Sequence, residues 1–284
     1  KLLENVKDVC PEAVVVYAST RQLYGKPKYL PVDEKHPIRP VDINGINKLS
    51  GEYFHLLFND VYKIKTSVLR LTNTYGPGMR IKDARQIFLG IWIKNILTDQ
   101  PILVYGDGKQ VRDFNYVDDV VDALIRASTT SEAFGQVMNL GSDQIINLES
   151  LAKKLIGLYP KSSWEKVPFP EFRKSIDIGD YYSNYKKSEK ILSWEPKVGL
   201  EEGLKRTINF YEKNYSSDLY NSKFLNISLI WNEGIAFGLF SFSDKFFYHI
   251  LSFLIGAVIL IIIVMLNRSE GLKKYSLIMI LGGA

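Results

Sequence analysis

AVVVYA, residues Ala13–Ala18, sets the architecture of the first part of this chain. The run is β-branched and almost unbroken, with no polar face to offer water. That is the pattern of a strand buried on both sides within a parallel sheet. A polar, proline-bearing loop follows over Ser19–Pro40. From Ile43 the apolar residues recur at helical spacing, with Leu49, Tyr53, Leu56 and Leu57 on one stripe. Thr66–Leu71 is a second strand, ended by the turn Tyr75-Gly76-Pro77-Gly78. Strand, helix, strand is the grammar of a βαβ unit, so the fold class is α/β.

Outward from that unit, Ile102–Val117 reads as a hairpin around Asp107-Gly108. A helix is predicted from Asp118-Asp119 to Ser128, its aspartates supplying an N-cap and first-turn negative charge. Val137–Leu140 reads as a strand, Leu148–Leu158 as a helix, and Leu200–Tyr211 as a last amphipathic helix. Residues 216–224, polar and rich in Ser and Asn, read as a linker.

Beyond the linker the chain changes solvent. Phe246–Leu266 holds no Asp, Glu, Lys or Arg. At ~1.5 Å per residue such a run, as a helix, crosses the roughly 30 Å hydrocarbon core of a bilayer. A second span is expected to start from about Tyr275. The net charge of +5 is dispersed, with no Lys/Arg block of the kind that marks a nucleic-acid footprint, so no nucleic-acid partner is expected. Cys10 is the single cysteine, which excludes an internal disulfide. His36, His55 and His249 lack metal-site spacing, and no metal is expected. No charged-then-apolar leader opens the sequence, so residues 1–215 are expected in the cytoplasm and the C-terminal segment in the inner membrane.

VVVYASTRQLYG (14–25), NGINKLSGE (44–52), LRLTNTYGPG (69–78), YGDGKQVRDFNYVDDVV (105–121) and YKKSEKILSWEP (185–196) together resemble one family. It is the extended short-chain dehydrogenases that act as NAD-dependent nucleotide-sugar epimerases and dehydratases. The resemblance implies a Rossmann-like doubly wound domain with a small α/β substrate lobe, of which residues 1–215 form the C-terminal part. It implies hydride transfer between a sugar carbon and NAD (NADP not excluded), a nucleotide-sugar substrate and a homodimer. In such enzymes a Tyr phenolate takes the hydroxyl proton and a Lys four residues on lowers its pKa; i, i+4 spacing puts both on one helix face.

Carried onto this chain, Lys48 matches the Lys, and Thr20, or Ser19 beside it, matches the hydroxyl that binds the reacting oxygen. The Tyr position is Asn44, whose amide is no general base near neutral pH. Either another group, such as Tyr24 or a water held by Asn44, takes the proton, or the reaction is altered or lost and the domain is a non-catalytic sugar-nucleotide-binding fold. Arg21-Gln22 stands where the family's dehydratases carry Asp-Glu, which leaves epimerase or reductase. By the same resemblance Ser19, Lys48 and Asn73 contact the cofactor, and Thr20, Asn73, Tyr75 and Arg112 the substrate. A guanidinium suits a diphosphate; for Arg112 the alternative is a salt bridge to Asp113 or Asp118. Lys187 reads as structural. The family's Gly-rich dinucleotide cradle does not occur in these 284 residues, so the chain as given is expected to bind NAD weakly or not at all.

NISLIWNEGIAFGLF (226–240), the span, and KKYSLIMILGGA (273–284) resemble a second family, the lipoprotein signal peptidases II, four-span membrane aspartyl proteases. That resemblance places Asn232, Gly234, Ala236 and Phe237 beside a catalytic aspartate pair expected beyond Ala284. Arg268, Lys273 and Lys274 follow the span and put its C-terminal side in the cytoplasm. An enzyme of sugar nucleotides would then lie on the far side of the membrane. The simplest expectation is two neighbouring sequences read through as one chain.

Overall fold

A computed structural model describes residues 1–81, 88–171, 177–215, 218–221 and 226–228. The chain separates into two compact units, Lys1–Ser216 and Ser217–Ala284. Along the first unit run α1 (Leu2–Val9), β1 (Val15–Thr20), α2 (Ile43–Tyr62), β2 (Thr66–Leu71), β3 (Asn73–Tyr75), α3 (Phe88–Leu97) and β4 (Ile102–Tyr105). There follow β5 (Val111–Arg112), β6 (Phe114–Tyr116), α4 (Val117–Thr129), β7 (Val137–Asn139), β8 (Ile146–Asn147), α5 (Leu148–Leu158), β9 (Trp164–Val167), α6 (Lys186–Leu192) and α7 (Leu200–Tyr215). Short 3-10 turns occupy Arg21–Tyr24 and Ser131–Ala133.

The central sheet is parallel in the order β1-β2-β7, with Val15 opposite Thr66 and Val68 opposite Val137. Successive side chains of a strand point to opposite faces. Arg70 of β2 meets Glu52 of α2, whereas its neighbour Leu69 packs with Val120 and Ala123 of α4 and with Leu192 and Trp194. One helix therefore covers each face, which is why β2 is buried along nearly its whole length. The sheet is α/β in the Rossmann-like manner.

The apolar stripe of α2 is not the face that packs on the sheet. The buried positions are Gly45, Glu52, His55 and Phe58, while Tyr53 and Leu57 are exposed and Leu49 and Leu56 half-buried. The close approach explains the choice of residues. A Cβ on Gly51 would lie 2.2 Å from the Tyr17 hydroxyl, so no larger residue fits at that point beneath the helix.

The expected hairpin at 102–117 does not form. β4 pairs in parallel with β9, and β5 pairs antiparallel with β8. Asp107 and Gly108 do make a turn, with the Asp107 carboxylate accepting from Lys109 N at 2.9 Å. The carbonyls of Gly108 and Gln110, however, accept from Glu149 and Leu148 at the start of α5. That helix start holds the loop away from its own neighbour. The aspartates opening α4 divide their work as well: neither caps the helix, and Asp119 is buried, accepting from Val198 N at 3.0 Å.

In the second unit Asp218–Asn221, read from composition as linker, pairs antiparallel with Asn226–Ser228. Asn232, Gly234, Ala236, Phe237 and the span Phe246–Leu266 lie outside the described residues. Among the described residues no helix is long and apolar enough to cross a membrane.

Candidate active site

Three of the residues singled out by sequence meet at the C-terminal end of β1. Thr20 ends the strand and caps the turn Arg21–Tyr24, its hydroxyl accepting from Gln22 N at 3.3 Å. Gln22 accepts through its side-chain oxygen from the Asn44 amide. Lys48, one helical turn after Asn44, donates from Nζ to the carbonyl of Ala18 at 2.7 Å and lies over the Tyr17 ring. The Asp42 carboxylate caps α2 by accepting from Gly45 N at 2.6 Å. Gly45 is needed there because a Cβ would lie 2.9 Å from Pro40 and 3.0 Å from the Gln22 carbonyl. The first turn of α2 is thus pressed against the end of β1. Asn44 is exposed and Lys48 half-buried, with one donor of its ammonium spent on Ala18.

Beneath this edge runs a buried polar chain. The Ser19 hydroxyl donates to Glu52. Glu52, 1% exposed, receives Arg70 at 2.7 Å from Nη2 and 3.0 Å from Nε. Arg70 also donates to the Tyr24 hydroxyl at 2.8 Å, and Tyr24 donates to Asn139 at 2.7 Å. A buried carboxylate is tolerable only when paired and hydrogen-bonded in this way. Two residues singled out by sequence, Ser19 and Tyr24, sit within this chain. Ser19 donates to Glu52 and is 3% exposed. Burial pushes the Tyr24 phenol up to about 12, so it does not ionise near neutral pH to serve as the missing base.

The substrate-side residues also separate. Asn73 remains at the site, its amide donating to the Asp113 carbonyl at 2.8 Å and accepting from Arg21 at 3.0 Å. Tyr75 belongs to the core instead. It is 1% exposed, its hydroxyl donates to the Leu200 carbonyl at 3.3 Å, and Phe114 and Tyr116 pack edge-on against its ring. A Cβ on Gly203 would meet its hydroxyl at 2.2 Å, which shows how closed that pocket is.

Arg112 is buried and pairs with neither Asp113 nor Asp118. It donates to the carbonyls of Val111, at 2.8 Å, and Gly179, and faces Asp177 at 3.6 Å. Burial and the neighbouring Arg21 charge pull it down to about 10. Lys187 is structural as read, donating to the Val137 carbonyl at 2.8 Å. Sequence reasoning passed over Arg21 as a mere absence of acid, and over Glu52 and Arg70.

Residues 1–141 match the profile of the NAD dependent epimerase/dehydratase family. A putative UDP-glucose 4-epimerase of Methanocaldococcus jannaschii is 32% identical over 216 residues, 75% of this chain and 67% of that protein. The chain belongs to the NAD-dependent epimerase/dehydratase family. Among solved structures, UDP-glucose 4-epimerase of Thermotoga maritima with UDP-glucose is 30% identical with a TM-score of 0.68, over 75% of this chain and 68% of that one. Pal from Bacillus thuringiensis is 32% identical with a TM-score of 0.68, over 74% and 66%. The chain spans between 49% and 67% of the length of the curated relatives it matches most strongly. Residues 198–284 match the profile of signal peptidase (SPase) II. That match begins just before α7, which lies in the first unit.

Proposed function

We propose that residues 1–215 carry the catalytic edge and substrate lobe of an NAD-dependent enzyme that acts on a nucleotide sugar by hydride transfer, as an epimerase or reductase. The observation that carries the reading is the convergence of Thr20, Asn44 and Lys48 at the end of β1. The residues present suit the ribose and nicotinamide end of NAD. The Lys48 ammonium has three donors and spends one on Ala18, leaving others for ribose hydroxyls. When bound, the cofactor supplies the hydride acceptor and donor.

The chain's own groups supply the rest. Thr20 orients the reacting hydroxyl, and Lys48 favours negative charge on the oxygen as its proton departs. With Tyr24 locked neutral, the proton leaves through a water held by the exposed Asn44 amide. Asn73 holds the sugar side of the site, and β4, β5, β8 and β9 with α5 form the substrate lobe. Arg112 serves the nucleotide diphosphate only by giving up carbonyl partners.

The test is Asn44→Tyr, with conversion of the nucleotide sugar to its epimer followed by NMR in the presence of NAD, and loss of NADH absorbance followed for reduction. A gain in turnover, on the order of 100-fold for a restored general base, shows that the scaffold is otherwise competent. No turnover in either form, at an NAD concentration where titration shows the cofactor bound, favours the non-catalytic sugar-nucleotide-binding reading.

Two further parts of the reading rest on separate observations. The exposed apolar stripe of α2, with Val121 and Ile125 of α4, supports a homodimer built through these two helices. The signal peptidase II profile and the charge-free run at 246–266 support a membrane segment over 225–284, with Asn232, Gly234, Ala236 and Phe237 in its peptidase-like part and lipid around the span. Residues 1–215 are assigned to the cytoplasm, where nucleotide sugars are found, as a product separate from the membrane segment.

A further inference from the structure

Arg21 is a cation with no ion pair of its own, reached by the charges of Asp113, Asp177 and Asp42 only across a distance. Its Nη2 donates to the neutral Asn73 amide at 3.0 Å, and its guanidinium stacks on the Tyr181 ring at 5.0 Å. Its Nη1 is shut off from solvent and donates to nothing. Among the described residues no carboxylate forms an ion pair with it. The nearby acids are already engaged. Asp113 accepts from the Thr72 hydroxyl and from Ser183 N, Asp177 from Gln110 and Gly179 while facing Arg112, and Asp42 caps α2. A second guanidinium, Arg112, lies close enough to feel its charge. Burying a guanidinium against one neutral amide costs free energy that a salt bridge would recover.

The residue also sits where a ligand arrives. It follows Thr20 directly at the end of β1 and touches Asn73 at the start of β3, the two strand ends that border the proposed sugar position. We propose that Arg21 binds an oxyanion of the nucleotide sugar, supplying by ligand the counter-charge that the chain withholds. This rests on the reading of the site as a nucleotide-sugar site. Leaving its seat costs Arg21 one hydrogen bond to an amide and one ring contact, both modest beside a charge-assisted pair. Two groups on such a substrate offer the chemistry: a carboxylate on the hexose, as in a uronic acid, and the diphosphate.

Isothermal titration of the unmodified chain, Arg21→Gln and Arg21→Lys with UDP-glucuronate, UDP-glucose and UDP distinguishes the sources. Loss of about tenfold or more in affinity for UDP-glucuronate alone in Arg21→Gln, partly recovered in Arg21→Lys, assigns the carboxylate. An equal loss for all three ligands, again partly recovered by Lys, assigns the diphosphate. Unchanged affinities in Arg21→Gln overturn the inference and leave the proposed function standing. So does a loss that Arg21→Lys fails to recover, because the residue is then a structural support. If the unmodified chain binds none of the three, the inference and the proposed function fall together.

Discussion

Asn44 presents an amide at the position from which a phenolate would take the proton, and the surrounding residues show why no neighbour replaces it. Tyr24 is near in sequence and chemically suited, but it is spent between Arg70 and Asn139. Its raised pKa has a direct consequence for stability. A group that holds its proton more tightly when folded contributes fully below its unfolded value of 10.0, and the contribution is lost as pH rises towards about 12. Tyr24→Phe is expected to flatten the alkaline loss of stability over that window, measured by urea denaturation at stepped pH. It also leaves buried polar groups on Arg70 and Asn139 unpaired, which costs about 1–3 kcal/mol near neutral pH. The pH dependence of turnover should not move; an alkaline limb displaced by Tyr24→Phe would restore Tyr24 as a proton acceptor.

Helix α2 carries two demands on opposite faces. Beneath it, Gly45, Gly51 and Glu52 allow the close approach and pairing that set Lys48 and Asn44 at the strand end. On the other side Ile46, Tyr53, Phe54, Leu57 and Val61 are exposed, an apolar surface wide enough to call for a partner. With the exposed residues of α4 it predicts a dimer of the first unit. Leu57→Asp places a charge on that face without touching the sheet. It is expected to shift the chain from dimer to monomer in sedimentation velocity while nucleotide-sugar binding persists. An unchanged sedimentation coefficient, or a monomer in the unmodified chain, removes α2 from the interface.

At the scale of the whole molecule, the two units fall largely under different family profiles. The first unit holds its own parallel sheet and core clusters within Lys1–Ser216. A chain ending at Tyr215 is therefore expected to fold, to remain in the supernatant after high-speed centrifugation, and to match the whole chain in nucleotide-sugar titrations. The whole chain, carrying the charge-free run at 246–266, is expected to sediment with membranes and to need detergent for release. Recovery of both forms in the supernatant would refute the membrane placement.

The sequence by itself determined the α/β class, the bounds of β2 and α5, and the assembly of Thr20, Asn44 and Lys48, because each rests on local periodicity or on a short motif whose spacing the backbone preserves. It also determined the family, from five segments in a fixed order. Tertiary structure alone decided the rest. The turn at Asp107-Gly108 reads as a hairpin locally, and only the pull of α5 and the pairing with β8 and β9 split its strands. Tyr75 follows the strand bordering the site, yet Gly203 of the distant α7 leaves room to bury it. Ser19, Tyr24 and Arg112 look reactive in isolation and are satisfied by partners far along the chain, whereas Arg21 looks inert and is left with its charge unpaired. Hydrogen-bond satisfaction in a folded interior is a property of all three dimensions at once, so a residue's availability for chemistry is not written in its neighbours along the sequence.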